Sequence, residues 1–565
     1  MEAWDIIVLG DSIAGLRAAG EAASKGANVL LINSGGLGSG DSSAIDGFAA
    51  HINEETNRDH RNDTIRNGAF LNNQDIVVEY TNQAIRQLDL MERWGFIWKR
   101  DSKGIPASLK LPGHNKPRVS SAGDANKREA QQIFEEQVMR HGVVRRGDQV
   151  PISLVHDDQR VNGLIVMDMI TGNLISIQCK ALIIADDGVQ NIFTDGSVGL
   201  GLGLAAEAGL PLSDLEFFSS SPLGVKDSDI ILPLTMLADG AKLLESNGSE
   251  IEYDQSGGIT AVCNAISQAE NPVIDARGLG SESTWWSSEF SRLKLRTGID
   301  MQKQTVAIEN RINLGIGGIA VDEHSRAVVG KWSRWFTGLY AAGQSANTGL
   351  HGAASLPGNS FLDSVVSGYS AGAHAADWVK NQPFGKVSSM NEMFTDIQES
   401  IESQIEVTDG LVVRSGVISS KLNSIMNGVK ESGWSTSSLE SAAKDLASLK
   451  EKSAKLHLDN KSFVMNTNFL INQQLKTAVN LASMVVASAN SRKESRGVFN
   501  RADFPEMDSE LMHHSLVDIN SNVDKLAIRE AEGVEGEVAA GEAAEGVWEG
   551  VEEEPVEEVQ NTSSE

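Results

Sequence analysis

The sequence predicts an α/β protein: a Rossmann-like nucleotide-binding domain interrupted by an inserted α+β domain and followed by a C-terminal helical bundle. Three features point there. The segment "WDIIVLGDSIAGLRAAGEAASKGANVLLIN" reads as buried strand, tight turn, Ala-rich helix and second strand, which is one βαβ unit. Far downstream, "GLYAAGQ" at 338–344 repeats the pattern of a buried strand ending in a glycine turn, ahead of the helical run "NSFLDSVVSGYSAGAHAADWV". Between Val387 and Ala489, patterns such as "LNSIMNGVKESGW" and "NFLINQQLKTAVNLASMVVASA" keep the 3.6-residue period of packed amphipathic helices.

Taken in order, "WDIIVLG" is a continuous apolar run of the kind buried on both faces of a sheet, and Gly26 closes the helix that follows it. After the second strand comes "SGGLGSGDSSAIDGFAA", too long and glycine-rich for a plain connector. "RVNGLIVMDMITGNLISIQCKALIIADDG" reads as a β-meander feeding a buried strand at 181–185. From 225 to 329 short strands alternate with mixed patterns, separating two parts of one nucleotide-binding domain. The expected boundaries are therefore 1–224 and 330–385 for that domain, 225–329 for the insertion, 386–525 for the helical domain and 526–565 for a disordered acidic tail.

Composition narrows the classes. The 565 residues suffice for several domains, and a net charge of −29 argues against nucleic acid or anionic lipid as partner. From Glu530 to Glu565 there are 13 glutamates and no lysine or arginine, too little apolar surface to offset the entropy of ordering, so that segment reads as a tail that solubilises or contacts a partner. No apolar run approaches the roughly 20 residues needed to span a bilayer. The first strand-like run begins at Trp4, which leaves no room for a signal peptide. Only Cys179 and Cys263 are present, too few for a disulfide framework or an iron–sulfur cluster held by this chain alone. No metal site is expected, and the cytoplasm is the expected compartment.

A dinucleotide turn needs glycine for the bend, for close approach of a pyrophosphate and for helix packing. Here the turn reads Gly10-Asp11-Ser12-Ile13-Ala14-Gly15, with serine at the approach position, an added acid at Asp11, and Asn33 where an acidic ribose partner is usual. Two readings follow: a nucleotide site with altered contacts, or a Rossmann-like unit that binds nucleotide poorly. The loop "LYAAGQSANTGLHGAASLPGNSFLDS", 339–364, has the small residues of a backbone that lies close to a ligand, one histidine and no lysine or arginine.

Together these segments resemble the flavoprotein subunit of succinate dehydrogenase and fumarate reductase, a family that includes L-aspartate oxidase. "GHNKPR" (113–118), "EFFSSSPLG" (216–224), "INLGIGGIAVD", "GLYAAGQ", "HGAASLPGNSFLD" and "SRKESRGVFNRADFPEMD" follow the family's segments in order, from about Asp5 to Asp518. The resemblance implies an FAD-binding fold, a mobile capping domain, a C-terminal helical domain, and hydride transfer between flavin N5 and a dicarboxylate. It carries cofactor contacts over to Gly10, Ser12, Gly15, Asn33, Ser34, Gly188, Gly343, Gln344, Asn359, Ser360 and Leu362. Gln344 stands where the family has Glu, and Asp187 where it has Gly. The histidine that attaches FAD covalently aligns with Gly40, so FAD is expected to be noncovalent. A respiratory role would need a separate iron–sulfur subunit or other redox partner, which would hold this chain at the membrane surface.

The same alignment shows a substituted substrate site. Family histidines become Ser221 and Asn313, the arginine of the substrate loop becomes Ser355, and the proton-shuttle arginine falls on Asn264. The charged relay positions of "PLTMLADG" are Leu234 and Leu237. Charge-assisted hydrogen bonds contribute roughly 1.5–3 kcal/mol each, so losing three or four removes most of a dicarboxylate's binding. Losing the general acid removes a further ~10²–10⁴ in rate. His351 and Arg311 are the remaining candidates for catalysis, each with a structural role as its alternative. His324 reads as an exposed turn residue, and Trp285, Trp286, Trp332 and Trp335 as a pocket wall or as core. Three functions follow: a flavin oxidoreductase for a neutral or less anionic substrate, a noncatalytic scaffold paralogue, or a true succinate dehydrogenase or fumarate reductase subunit.

Overall fold

The computed structural model describes residues 2–38, 43–51, 54–194, 196, 198–406, 413–458 and 460–530. Its central sheet is built on the Glu2–Leu9 strand, whose Ile6, Ile7 and Val8 are fully buried. That strand pairs in parallel with Val29–Ile32 on one side and with Asn173–Ile184 on the other, Leu9 standing opposite both Ile32 and Ile184. Val144–Arg146 extends the sheet at one edge, and Trp335–Ala341 joins the end of Asn173–Ile184 in parallel register, Ala341 opposite Ile184. A strand covered on both faces has no polar side, which is why these runs are continuous rather than alternating in hydropathy. The C-terminal ends of four strands thus meet at Gly10, Asn33, Ala185 and Ala342, the edge of an open parallel sheet where ligands bind.

The meander is formed as expected: Gln149–Asp157, Arg160–Asp168 and Asn173–Ile184 run antiparallel, and the last continues unbroken into the central sheet. Two helices, Ile13–Ser24 and Asn359–Val379, lie against each other on one face, their contact made close by Gly368 and Gly372. A Cβ at Gly372 would stand 2.3 Å from Ala18 O.

The inserted region has its own core, with Trp286 and Leu293 packed on Ile274, Val306 and Val262. Its sheet pairs Phe218–Val225 with Val306–Gly315, then Val273–Asp275 and Lys242–Leu244. Polar contacts, the buried Lys99–Asp239 pair among them, hold it to the nucleotide-binding part. Lys99 Nζ reaches Asp239 Oδ1 at 2.6 Å and Glu282 Oε2 at 2.5 Å, while the Trp286 indole donates to Asp239 Oδ2 at 2.9 Å. Asp124 Oδ2 accepts from the backbone N–H groups of Ser288 and Glu289, at the start of the Ser287–Thr297 helix.

Three helices, Ser415–Glu431, Thr436–Ser453 and Thr467–Ser491, pack on one another, the second capped by Ser435 and the third by Asn466. The Val387–Glu406 helix, expected with them, sets Met390 against Val155 and Ile165 of the meander. The expected tail also begins too early. Leu526 ends a strand paired with His514–Val517, Ala527 O accepts from the Trp332 indole at 2.8 Å, and Arg529 pairs with Asp75 and Glu323. These residues are ordered because they complete a five-stranded sheet with Leu212–Ser213, Gly318–Ala320 and Ala346–Asn347. The rest of the tail, with Trp548, lies outside the described residues.

Candidate functional site

The crossing of the first turn beneath the following helix is tight enough to require glycine. Gly10 has φ +107°, and a Cβ there would stand 2.3 Å from Ala185 O; at Gly15 it would stand 2.2 Å from Gly10 O. Gly343, φ +61°, packs against Ala14 in the same way, with a would-be Cβ 2.7 Å from Ala14 Cβ. Ser12 is spent internally: its hydroxyl donates to Ala185 O at 2.6 Å and accepts from Gly15 N at 3.2 Å, capping the Ile13–Ser24 helix. Asp11 accepts from Gly38 N at 2.5 Å, and Asn33 Nδ2 donates to Gly36 O at 3.0 Å, so both shape the loop after the second strand, at Ser34. This frame keeps the glycines of the bend and of the helix packing, which fits a dinucleotide, while Ser12 holds the approach position. Contacts at Ser12 and Asn33 would be those of neutral groups.

The second cofactor segment starts the Asn359–Val379 helix, entered through Gly358 at φ +87° and carrying no side-chain cap. The Asn359 N–H is taken by Leu356 O at 3.0 Å, and the terminus presents a partial positive charge to an electron-rich group. Asn359 itself is fully buried, accepting from His60 Nε2 at 2.8 Å and donating to Thr64 Oγ1 at 3.0 Å. Leu362 is likewise core. The motif "GHNKPR" supports the same loop: His114 Nε2 donates to Pro357 O at 2.9 Å, and Arg118 bridges His114 Nδ1 and Asp63. Burial, then the Arg118 charge, push the His114 imidazole down to about 3, which keeps it neutral and a single donor. Gln344 accepts from Gln190 Nε2 at 2.8 Å, beside Gly188, where a Cβ would meet Gln190 Oε1 at 2.5 Å. Gly40 lies outside the described residues. Asp187 is exposed at the sheet edge.

Between this helix start and the inserted region lies a pocket whose walls include Asp46, Ser221, Asn313, Gln344, Ser355 and Ser360. None of the described residues lining it is lysine, arginine or histidine. Three of the four positions expected from the resemblance to face a substrate, Ser221, Asn313 and Ser355, thus meet in one place. The fourth does not: Asn264 is on the exposed face of the Gly258–Gln268 helix, which turns Ile259 to the pocket instead. Five residues along a helix is about 140° around it, so one helix cannot direct both inward. Leu234 lines the pocket, whereas Leu237 packs in the core of the inserted region. Asn313 Oδ1 is buried without a hydrogen-bond partner, an acceptor left for a ligand's donor.

Of the two catalytic candidates, Arg311 is committed elsewhere. It donates to the carbonyls of Ser228 and Val225 and pairs with Glu309 at 2.6 Å, tying a turn of the inserted region to its sheet. His351 is buried behind the pocket, its Nδ1 3.1 Å from Ser355 Oγ and its Nε2 3.3 Å from Asp363 Oδ2. The tryptophans are structural: Trp286 fills the inserted core, Trp285 backs Gly123, Trp332 holds Ala527 and Trp335 packs on Tyr340 and Trp378. His324 is nearly half exposed in a turn and stacks on His374.

Sequence reasoning missed Asp46, the one ionisable side chain among the described pocket-lining residues. Its Oδ1 accepts from Leu234 N at 2.7 Å, joining the two walls. Burial pushes its carboxyl up to about 6, only partly opposed by that hydrogen bond. Asp186, under the sheet edge, is pushed up to about 7 by burial despite bonds from Gly201 N and the Ser345 hydroxyl. A carboxyl whose folded value lies above its ordinary 3.8 binds more protons folded than unfolded, so its stability contribution is lost as pH rises from about 4 to about 7. Asp46→Asn should therefore raise the melting temperature at pH 7.5 and leave it unchanged at pH 4. The gain is at most about 3 kcal/mol by the ~1.4 kcal/mol per pH unit of linkage, and thermal melts at the two pH values check it.

With the geometry in view, similarity to known proteins bears on the site. Residues 5–361 match the model of an FAD binding domain, and residues 420–543 that of the fumarate reductase flavoprotein C-terminal region. The chain is 27% identical over 571 residues to the fumarate reductase flavoprotein subunit of Haemophilus influenzae, covering 92% of each. It is 25% identical over 574 residues to that of Escherichia coli, covering 94% of this chain and 92% of the other. Among solved structures it superposes on a quinol fumarate reductase of E. coli with a TM-score of 0.85 at 23% identity, covering 94% of this chain and 98% of that one. The adenylylsulfate reductase of Archaeoglobus fulgidus shares the fold at a TM-score of 0.74 and 17% identity.

Proposed function

The chain belongs to the FAD-binding family of fumarate reductase and succinate dehydrogenase flavoproteins, and from that membership we propose that it is a flavin oxidoreductase holding FAD without a covalent bond and acting on a neutral or weakly anionic substrate. The observation that carries the reading is the pocket wall of serines, Asn313 and Asp46 without a cation. Two carboxylates in such a site would lose their hydration and gain no charged partner, while Asp46 would repel them. FAD, when bound, supplies a hydride acceptor or donor at its N5. The chain's residues would hold it through the Gly10–Gly15 crossing, Gly343 and the start of the Asn359–Val379 helix. Asn313 Oδ1 offers an acceptor to a substrate hydroxyl or amide, and Asp46 is placed to exchange a proton with the same ligand.

The purified chain should show oxidised-flavin absorption that bleaches with dithionite and is released into the supernatant on denaturation. Neither succinate nor fumarate should change the redox state of that flavin. Turnover of either at rates usual for enzymes would overturn the substrate reading and return the chain to a succinate dehydrogenase or fumarate reductase subunit.

A noncatalytic scaffold is the second reading, favoured by Ser12 and Asp11 being spent on the protein itself. A colourless protein that gains no thermal stability from added FAD would establish it. No described helix is long and apolar enough to cross a membrane. Any electron transfer into a membrane would run through a separate iron–sulfur or other redox subunit on a cytoplasmic face.

A further inference from the structure

We propose that Ser355, His351 and Asp363 form a nucleophile, base and orienting acid that make Ser355 Oγ reactive toward small uncharged carboxylic esters. Ser355 lines the pocket, and its hydroxyl lies 3.1 Å from His351 Nδ1. On the far side of the ring, His351 Nε2 lies 3.3 Å from Asp363 Oδ2, and the other Asp363 oxygen accepts from Thr348 Oγ1 at 3.0 Å. An acid beside Nε2 favours the tautomer protonated there, which turns the Nδ1 lone pair to the serine hydroxyl. His351 and Asp363 are buried, so the orientation is not averaged by solvent. Nucleophile and base in hydrogen-bond contact, with an acid 3.3 Å beyond the base, are the elements that activate a hydroxyl otherwise too weak to attack.

The surroundings complete the chemistry. Ser360 Oγ is 3.3 Å from Ser355 Oγ, and Ser360 and Gly358 bring the uncapped start of the Asn359–Val379 helix to the same wall. Its dipole stabilises negative charge developing on a carbonyl oxygen beside Ser355, the Asn359 N–H itself being taken by Leu356 O. In the step, Ser355 Oγ bonds to the ester carbonyl carbon as its proton passes to His351 Nδ1. The tetrahedral centre then breaks its bond to the alcohol oxygen, which takes the proton from His351. Water attacks the acyl-serine by the same route, releasing the acid and restoring the hydroxyl. No oxidant is consumed. The absence of a cation and the presence of Asp46 restrict the ester to an uncharged one. The inference uses no cofactor group, but it shares the pocket and the helix start with the flavin reading.

The test uses the full chain with a fluorophosphonate probe and p-nitrophenyl acetate. Peptide mass spectrometry should find the phosphonyl adduct on Ser355, and Ser355→Ala should lose both the adduct and the p-nitrophenol burst. His351→Gln should slow labelling by about 10²-fold or more, the range of a general base. Asp363→Asn should slow it less, with Asp363→Glu recovering part of the rate at an unchanged melting temperature. Should His351→Gln fail to fold, the Asp363 pair decides the outcome. Absence of an adduct on Ser355 in the folded chain overturns the proposal, and so does labelling that is as fast in His351→Gln, or in Asp363→Asn, as in the unaltered protein.

Discussion

Replacing Arg492 with methionine is expected to destabilise the fold by about 3–5 kcal/mol, the cost of leaving buried charges unpaired. The guanidinium is almost fully buried and every nitrogen has a partner. Nε donates to Glu216 Oε1 at 2.6 Å, Nη1 to Glu494 Oε1 at 2.9 Å and to Leu511 O at 3.0 Å, and Nη2 to His513 O at 2.9 Å. Glu216 begins the segment that runs into the pocket strand at Ser221, and Glu494 passes the connection on to Arg496. Removing the arginine therefore uncouples the C-terminal segment from the strand that carries the pocket wall. Lysine should not rescue it, because a single ammonium cannot replace a planar fork with several fixed donors. Pairing the change with Glu216→Gln should recover part of the loss. Urea unfolding of the single, double and lysine variants, followed by tryptophan fluorescence, checks all three expectations.

Gly10→Ala, through backbone strain and overpacking, and Gly15→Ala, through overpacking alone, are each expected to destabilise the nucleotide-binding part by about 3–5 kcal/mol. At Gly10 the methyl would stand 2.3 Å from Ala185 O in a left-handed conformation, and at Gly15 it would stand 2.2 Å from Gly10 O. Relief requires the helix to lift from the turn or the first strand to part from Asn173–Ile184. Either movement opens the crossing over which a dinucleotide would lie, so flavin should be absent from both purified variants. Absorbance at the flavin bands, FAD titration and melting curves measure the two effects separately. Gly26→Ala serves as the comparison: its φ is +89°, but a Cβ there would meet nothing within 4 Å. Its cost should be limited to about 1–2 kcal/mol of local strain, with flavin retained.

The N-terminal βαβ unit, the meander and the bundle helices were legible in the sequence because their signals are local. A buried strand beside a glycine turn and a helix of 3.6-residue period each lie within one window of chain. The motifs that order Ser221, Asn313 and Ser355 along the chain were legible too, and packing brings the three to one pocket. The placement of Asn264 was not, since a shift of one or two residues in a short helix decides whether a side chain faces the pocket or water. Arg311 was misleading for a related reason: its sequence position is near Asn313, but its charge is consumed by carbonyls from a turn some 80 residues earlier in the chain.

By itself, the sequence determined the α/β class and the flavoprotein family. Tertiary structure alone decided which side chains meet in the pocket. Asp46 and Leu234 lie 188 residues apart and meet in one hydrogen bond, and Asp363 reaches His351 from the second turn of a helix. Local sequence carries glycine geometry and hydrophobic period. The acidity of a carboxyl and the partner of an imidazole depend on burial and on distances of about 3 Å, which exist only once remote segments have packed.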